Sequence, residues 1–479
     1  MRWTIAQVAQ ALGARPGPGL DPMARVAGVS IDSRTLRPGE LFIAIHGLRH
    51  DGHDHVAAAV EHGAVAAVVA DPLVSRYAGW VSDRCITVPD TFDALKNLAR
   101  AVREAWGGKV AGVTGSVGKT TTKEILAALL GSKLRVLKSE GNFNNEYGLP
   151  LTLFRLDEAD QAAVLEMGMS RHGELARLAA IARPDVGIVT RVAPAHLEFF
   201  SSVDDIALAK RELIEGLNGR DSLAVLNADD ARVAAFAFKA PGRVLTYGIE
   251  RAADFRAEEI EDRGALGSTF TLVAGGKRTR LDLALAGRHV ISNALGALAA
   301  ASVWNIGAGE AQAVFRSLRA PAMRGELLRF SNGAAIINDS YNSSPAALHA
   351  MITLLAATPN YQRRILAAGE MRELGLSSVQ LHREAGQFAA EHGNLEWIIG
   401  VAGDAAHLVE GAVSAGFPKT QTRFLTNSVD TAQFLQKLVE PGDLMLIKGS
   451  RGVQMERIVD ALVAKHAAPG EFSREEVKH

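Results

Sequence analysis

Short, almost wholly apolar runs alternate along this chain with longer stretches in which apolar residues recur every three or four positions. The runs fall at 64–70, 110–113, 162–165, 185–189, 334–337, 364–368, 397–402 and 443–447. They are too short and too β-branched for helices and read as strands buried on both faces, the pattern of parallel sheets. Residues 28–34 and 40–45 read as two further strands. The stretches 53–62, 119–130, 204–217 and 294–301 have helical spacing. Only residues 251–285, which alternate and contain Gly275-Gly276, break the rhythm, and they predict a small antiparallel excursion. The whole predicts an α/β protein.

The rhythm starts afresh twice, so the expected units are residues 1–88, 89–321 and 322–479, each long enough to bury a core. No internal repeat relates them. Composition is that of a globular protein, with 48% hydrophobic and 22% charged residues. Lys+Arg 52 against Asp+Glu 53 leaves a net charge of -1, which argues against nucleic acid or an anionic membrane as partner and requires any phosphate contact to be local. Cys85 is the single cysteine, so an internal disulfide and a thiolate metal site are both excluded. The start is amphipathic without a signal-type apolar core, and no later run reaches membrane-span length; a cytoplasmic protein is expected. The tail from 467 onward is polar and is expected to fray.

Chemistry concentrates where strands hand over to helices. Thr114-Gly115-Ser116-Val117-Gly118-Lys119-Thr120-Thr121 follows a strand and opens a helix. Such a loop turns backbone N–H groups and a helix N-terminus toward one point, which suits a phosphate. Lys119 would reach the β and γ phosphates and Thr120 would hold Mg²⁺. Val113 stands where the longer form of the motif has glycine. Glu166 ends one neighbouring strand and His196 follows another, so both are expected to converge with Thr120 on the sheet edge and to offer metal ligands; a capping Glu and a satisfied loop His are the plain alternatives. By spacing alone Lys210 is a solvated helix residue and Asn293 a helix cap. Ser33 and Arg34, after Asp32, suit a diphosphate or simply cap a turn. Strand ends at Asp339, Tyr341 and Asn342, and at Lys448, Ser450 and Arg451, point to one ligand rim.

Together these motifs resemble the ATP-dependent Mur ligases of bacterial cell-wall synthesis, from about Asp32 to Arg451. The resemblance implies three domains: a small α/β domain for a UDP-sugar peptide, a central ATPase domain on a parallel sheet, and a Rossmann-like domain that closes over both. It implies that Gly115, Ser116, Val117, Gly118, Lys119, Thr120 and Thr121 bind ATP, with Asn293 near adenine, Arg324 on a phosphate and Asp339 on the ribose. It implies two Mg²⁺ ions held by Thr120, Glu166, His196 and a Lys210 carbamylated by CO₂, and catalytic roles for Lys119, Lys210, His196 and Arg324. Substrates would meet Ser33, Arg34, Asn142, Asn145, Tyr341, Asn342, Lys448, Ser450 and Arg451. Asp339-Ser340-Tyr341-Asn342-Ser343-Ser344-Pro345 and Gly369-Glu370-Met371-Arg372-Glu373-Leu374-Gly375 look like the member that adds D-Ala-D-Ala to a UDP-MurNAc-tripeptide, acting as a monomer. No Asp-Asn-Pro-Arg sequence of the diamino-acid-adding relative is present. Arg191 and Val290 depart from the family pattern. Other readings are a different carboxylate–amine ligase of the superfamily and a nucleotide-dependent binding module without ligase chemistry.

Overall fold

A computed structural model describes residues 3–47, 50–194 and 199–466. The polar tail from 467 and His196 lie outside that range. Three sheets follow one another along the chain.

The first contains Val29–Ser30, Leu41–Ile43, Ala66–Ala70 and Cys85–Val88, all parallel. Its strands bury both faces alternately. Leu41, Ile43, Ala66 and Val68 join one core, while Phe42, Ala44, Ala67 and Val69 join the other. The strand expected over 28–34 stops at Ser30, because the Asp32 carboxylate accepts the Arg34 N–H at 3.0 Å and folds the chain into a turn. The helix expected over 53–62 opens as a 3₁₀ turn, Gly52–His55, capped by Asp51. The Thr91–Trp106 helix begins at an Asp90 cap and ends at Gly107, whose φ of 72° is left-handed. It buries Leu95, Leu98, Ala99 and Val102 and touches both the Ile5–Leu12 helix and the Glu174–Ala182 helix beyond it.

The second sheet has nine strands, in spatial order Lys277–Leu283, Ser268–Ala274, Phe255–Asp262, Arg243–Gly248, Leu223–Asn227, Val186–Val189, Lys109–Thr114, Ala162–Glu166 and Val136–Lys138. The last seven are parallel, and the first two add antiparallel ladders, the excursion expected at 251–285. Lys109–Thr114 therefore lies between Ala162–Glu166 and Val186–Val189. Val113 stands opposite Glu166 and Thr114 opposite Val189, so Glu166 and Thr190 leave the sheet on either side of the loop that follows Thr114. The Lys119–Gly131 and Arg288–Ala301 helices pack on one face through Ile125, Leu126, Leu129, Leu130, Ile291 and Leu295.

The third sheet sets Glu326–Arg329 antiparallel to Ala335–Asp339. The parallel strands Asp443–Lys448, Arg363–Gly369, Trp397–Val401 and Thr422–Leu425 follow in space. Asp339 and Lys448 are register partners. The second and third units touch where Thr358 Oγ1 accepts the Ala265 N–H at 2.9 Å. Among the described residues no helix is long and apolar enough to cross a membrane.

Candidate active site

The loop after Lys109–Thr114 is built on two glycines. Gly115 has φ 150°, and a Cβ there would lie 1.8 Å from Thr190 Oγ1; Gly118 has φ 87°, and a Cβ there would lie 2.5 Å from Asn293 Oδ1. Neither position tolerates a side chain. Thr190 donates to the carbonyls of Val117 (2.5 Å) and Thr114 (3.2 Å), while Ser116 Oγ donates to the Ala193 carbonyl at 2.9 Å. The loop is thus clasped from the neighbouring strand end. Lys119 folds back on it, donating to the carbonyl of Gly115 at 2.7 Å. Burial lowers the Lys119 pKa, the Glu166 charge opposes this and the Arg324 charge adds to it. Asn293 is no cap: Gly287 starts the helix, and Asn293 sits a turn and a half inside it, buried against Gly118.

Beside the loop, the Thr120 hydroxyl donates to Glu166 Oε2 at 2.8 Å and Asn144 Nδ2 donates to Glu166 Oε1 at 3.0 Å. Glu166 is 4% exposed and is not a helix cap. Lys210 is 2% exposed, which overturns the solvated-face reading. Its pKa is pushed well below the ordinary lysine value, first by burial and then by the Lys119 charge. A lysine so placed is held toward its neutral form. Among the described residues no group of three or more His, Cys, Asp or Glu side chains forms a metal cage.

The third unit faces this edge with the ends of its strands. Lys448 Nζ, 3% exposed, donates to Asp339 Oδ2 at 2.5 Å and to the Asn342 carbonyl at 2.8 Å, so its charge is spent within the protein. The Asp339 and Lys448 charges both act on His289 of the second unit, raising and lowering its pKa in turn, while desolvation, the largest effect, lowers it. The Arg324 guanidinium lies 4.1 Å from the Tyr341 ring centroid and that of Arg451 lies 5.8 Å away. Ser450 Oγ accepts the Arg372 N–H at 2.9 Å. In the first unit Arg34 grips Asp32 through two bonds, 2.9 and 2.7 Å, with its side chain 86% exposed; the Ser33 carbonyl meets His62. Asn142 is exposed, and Asn145 accepts the N–H groups of Tyr147 and Gly148 at the start of the Gly148–Leu153 helix.

A hydroxyl and a carboxylate in contact at the mouth of a glycine loop are hard oxygen donors of the kind magnesium takes, so the residues present fit that ion. The Lys119 ammonium at the loop and the Arg324 guanidinium near it fit a polyphosphate. Two participants were not visible in the sequence. Asn144, the partner of Glu166, hides in the run Asn142-Phe143-Asn144-Asn145; Thr190 was one more strand-end residue, and only the strand order puts it behind the loop.

The Mur ligase middle-domain model matches residues 113–301, the Mur ligase glutamate-ligase-domain model matches 323–451, and the Mur ligase catalytic-domain model matches 25–103. A UDP-N-acetylmuramoyl-tripeptide--D-alanyl-D-alanine ligase of Bacillus subtilis (strain 168) is 35% identical over 438 residues, 91% of this chain and 93% of its own. The chain belongs to the Mur ligase family. Its fold matches a crystal structure of MurF from Acinetobacter baumannii with a TM-score of 0.87 at 28% identity, covering 97% of this chain and 99% of that one. A Thermotoga maritima MurF ligase solved in complex with ADP matches with a TM-score of 0.79 at 28% identity, over 91% and 97% of the two chains. As a Mur ligase, the chain has three domains of mixed α/β structure.

Proposed function

We propose that this Mur ligase joins D-alanyl-D-alanine to UDP-N-acetylmuramoyl-tripeptide at the expense of ATP, through an acyl phosphate. The observation that carries this reading is the Thr120–Glu166 contact at the mouth of the glycine loop, together with a buried Lys210 that feels the Lys119 charge and is held toward neutrality. A switch that only binds nucleotide has no use for that lysine. Residues 1–88 take the UDP-sugar peptide, with Ser33, Arg34, Asn142 and Asn145 on its path. Residues 89–321 hold ATP, and residues 322–479 bring the acceptor, past Asn342, Ser450 and Arg451.

A carboxylate is a poor acyl donor because oxide would have to leave. Its oxygen attacks the γ-phosphorus instead, the bond to the β-bridging oxygen breaks, and ADP departs. The N–H groups of residues 115–121 cradle the phosphates, while Lys119 and Arg324 offset the charge on the phosphoryl group in flight. Asn293 and Asp339 orient the nucleoside. Thr120, Glu166, His196 and a carbamate on Lys210 would hold two magnesium ions, whose positive charge lowers the cost of gathering anionic oxygens. The carbamate forms when the neutral Lys210 amine adds to CO₂ and sheds one proton; burial supplies the neutral amine and the product is an anionic oxygen ligand. The neutral acceptor amine then attacks the acyl carbon, phosphate leaves with the electron pair, and the new amide nitrogen loses a proton to solvent.

Replacement of Lys210 tests the reading. Lys210→Ala should lose nearly all ligase activity, and a short carboxylic acid in the buffer should restore part of it by lending the missing oxygen anion. No rescue by any acid small enough to enter would exclude the carbamate.

A further inference from the structure

Arg324 and Arg451 both lie over one aromatic ring, but their remaining partners differ. Arg451 Nη1 reaches Glu456 Oε1 at 3.3 Å and contacts Met323 Sδ at 3.8 Å. Arg324 pairs with no carboxylate among the described residues; its guanidinium carbon lies over the Tyr341 ring, 4.1 Å from the centroid. A guanidinium over a ring gives up its π face and keeps its N–H donors, all of which lie in its own plane. The ring therefore fixes the group without consuming what an anion needs. The surroundings are fixed as well: Arg324 N–H donates to the Pro321 carbonyl at 3.1 Å, Gly325 N–H to Asn338 at 2.9 Å and Tyr341 N–H to Met323 at 3.2 Å. Arg324 and Tyr341 are thus tied to one strand end, Ala335–Asp339. Arg324 also lies close enough to Lys119 for its charge to lower that lysine's pKa, after burial has done most of it.

We infer that Tyr341 is a positioning residue whose ring face aims the Arg324 guanidinium at the transferring phosphoryl group, and that its hydroxyl takes no part. The inference rests on the phosphate role of Arg324 proposed above. It replaces the expectation that Tyr341 touches substrate.

Kinetics of the full chain at saturating donor and acceptor separate the possibilities. Tyr341→Leu should lower kcat/KM for ATP by about 2- to 30-fold, the span of a lost cation–π contact. KM for the tripeptide donor and the melting temperature should stay where they were, since the ring is partly exposed and its loss opens no sealed cavity. Tyr341→Phe, which keeps the ring and drops the hydroxyl, should stay within about twofold of the parent for the same reason. In an Arg324→Met background Tyr341→Leu should add nothing. Equal damage from Phe and Leu would assign the effect to the hydroxyl and overturn the inference, as would an undiminished Leu effect in the Arg324→Met background. A separate result, Arg324→Met with unchanged kcat/KM for ATP, would remove the phosphate role of Arg324 itself.

Discussion

Asp51 illustrates how much one side chain can decide. Burial alone would raise its carboxyl, but the His53 backbone N–H, the His53 ring at 2.7 Å and the His46 ring at 3.2 Å outweigh this and bring it down to about 2 from 3.8. A carboxylate lowered in this way stabilises the fold above its ordinary pKa, and that stability disappears as pH falls from about 4 to about 2. With the side chain 21% exposed, the contribution is about 1 kcal/mol after screening. Asp51→Asn should therefore melt earlier than the parent at pH 7, and the gap should close near pH 2; melting curves across that range would show a constant gap if the account is wrong. At the loop, Lys119→Ala should abolish phosphate release while leaving the circular dichroism spectrum intact, and retained release would contradict its role. Residue chemistry was legible in the sequence wherever a motif fixes neighbours along the chain, as in Gly118-Lys119-Thr120. It was not legible where neighbours come from elsewhere. Spacing makes Lys210 look solvated and Asn293 look like a cap, because neither the packing of Val203–Glu215 nor the start of the second helix at Gly287 can be read from local pattern.

At the scale of elements, the site follows from strand order. Lys109–Thr114 lies between the strands ending in Glu166 and leading to Thr190, and this puts a carboxylate on one side of the loop and a hydroxyl clasp on the other. Apolar runs announced these strands, since both faces of a parallel sheet are buried. Their order was not announced, because runs so alike carry no pairing code. Thr190→Val keeps the shape and removes the bonds to Val117 and Thr114. A net loss of about 0.5–1.5 kcal/mol predicts a Kd for ATP higher by about 2- to 13-fold, with Thr190→Ser restoring it. Titration with a fluorescent ATP analogue reads this directly, and an unchanged affinity would show that the loop holds its shape without the clasp. Gly118→Ala should be worse, because it meets both a left-handed φ and the Asn293 amide.

For the whole molecule, the proposed division of donor, ATP and acceptor among three units requires those units to come together. The sequence predicts the three α/β units from restarts of the strand–helix rhythm. It does not show how Asp339 and Lys448 of the third unit come to act on His289 of the second, a relation set by contacts between units. In the proposed reaction the amine must arrive while the acyl phosphate is shielded from water, so the arrangement of the units bears on acceptor choice. Phosphate release with ATP and UDP-MurNAc-tripeptide, measured with D-Ala-D-Ala, with D-alanine, with a diamino acid and with no amine, is the most direct trial. The account predicts sustained release and a pentapeptide product with D-Ala-D-Ala alone; equal release with every amine, or with no tripeptide at all, would contradict it.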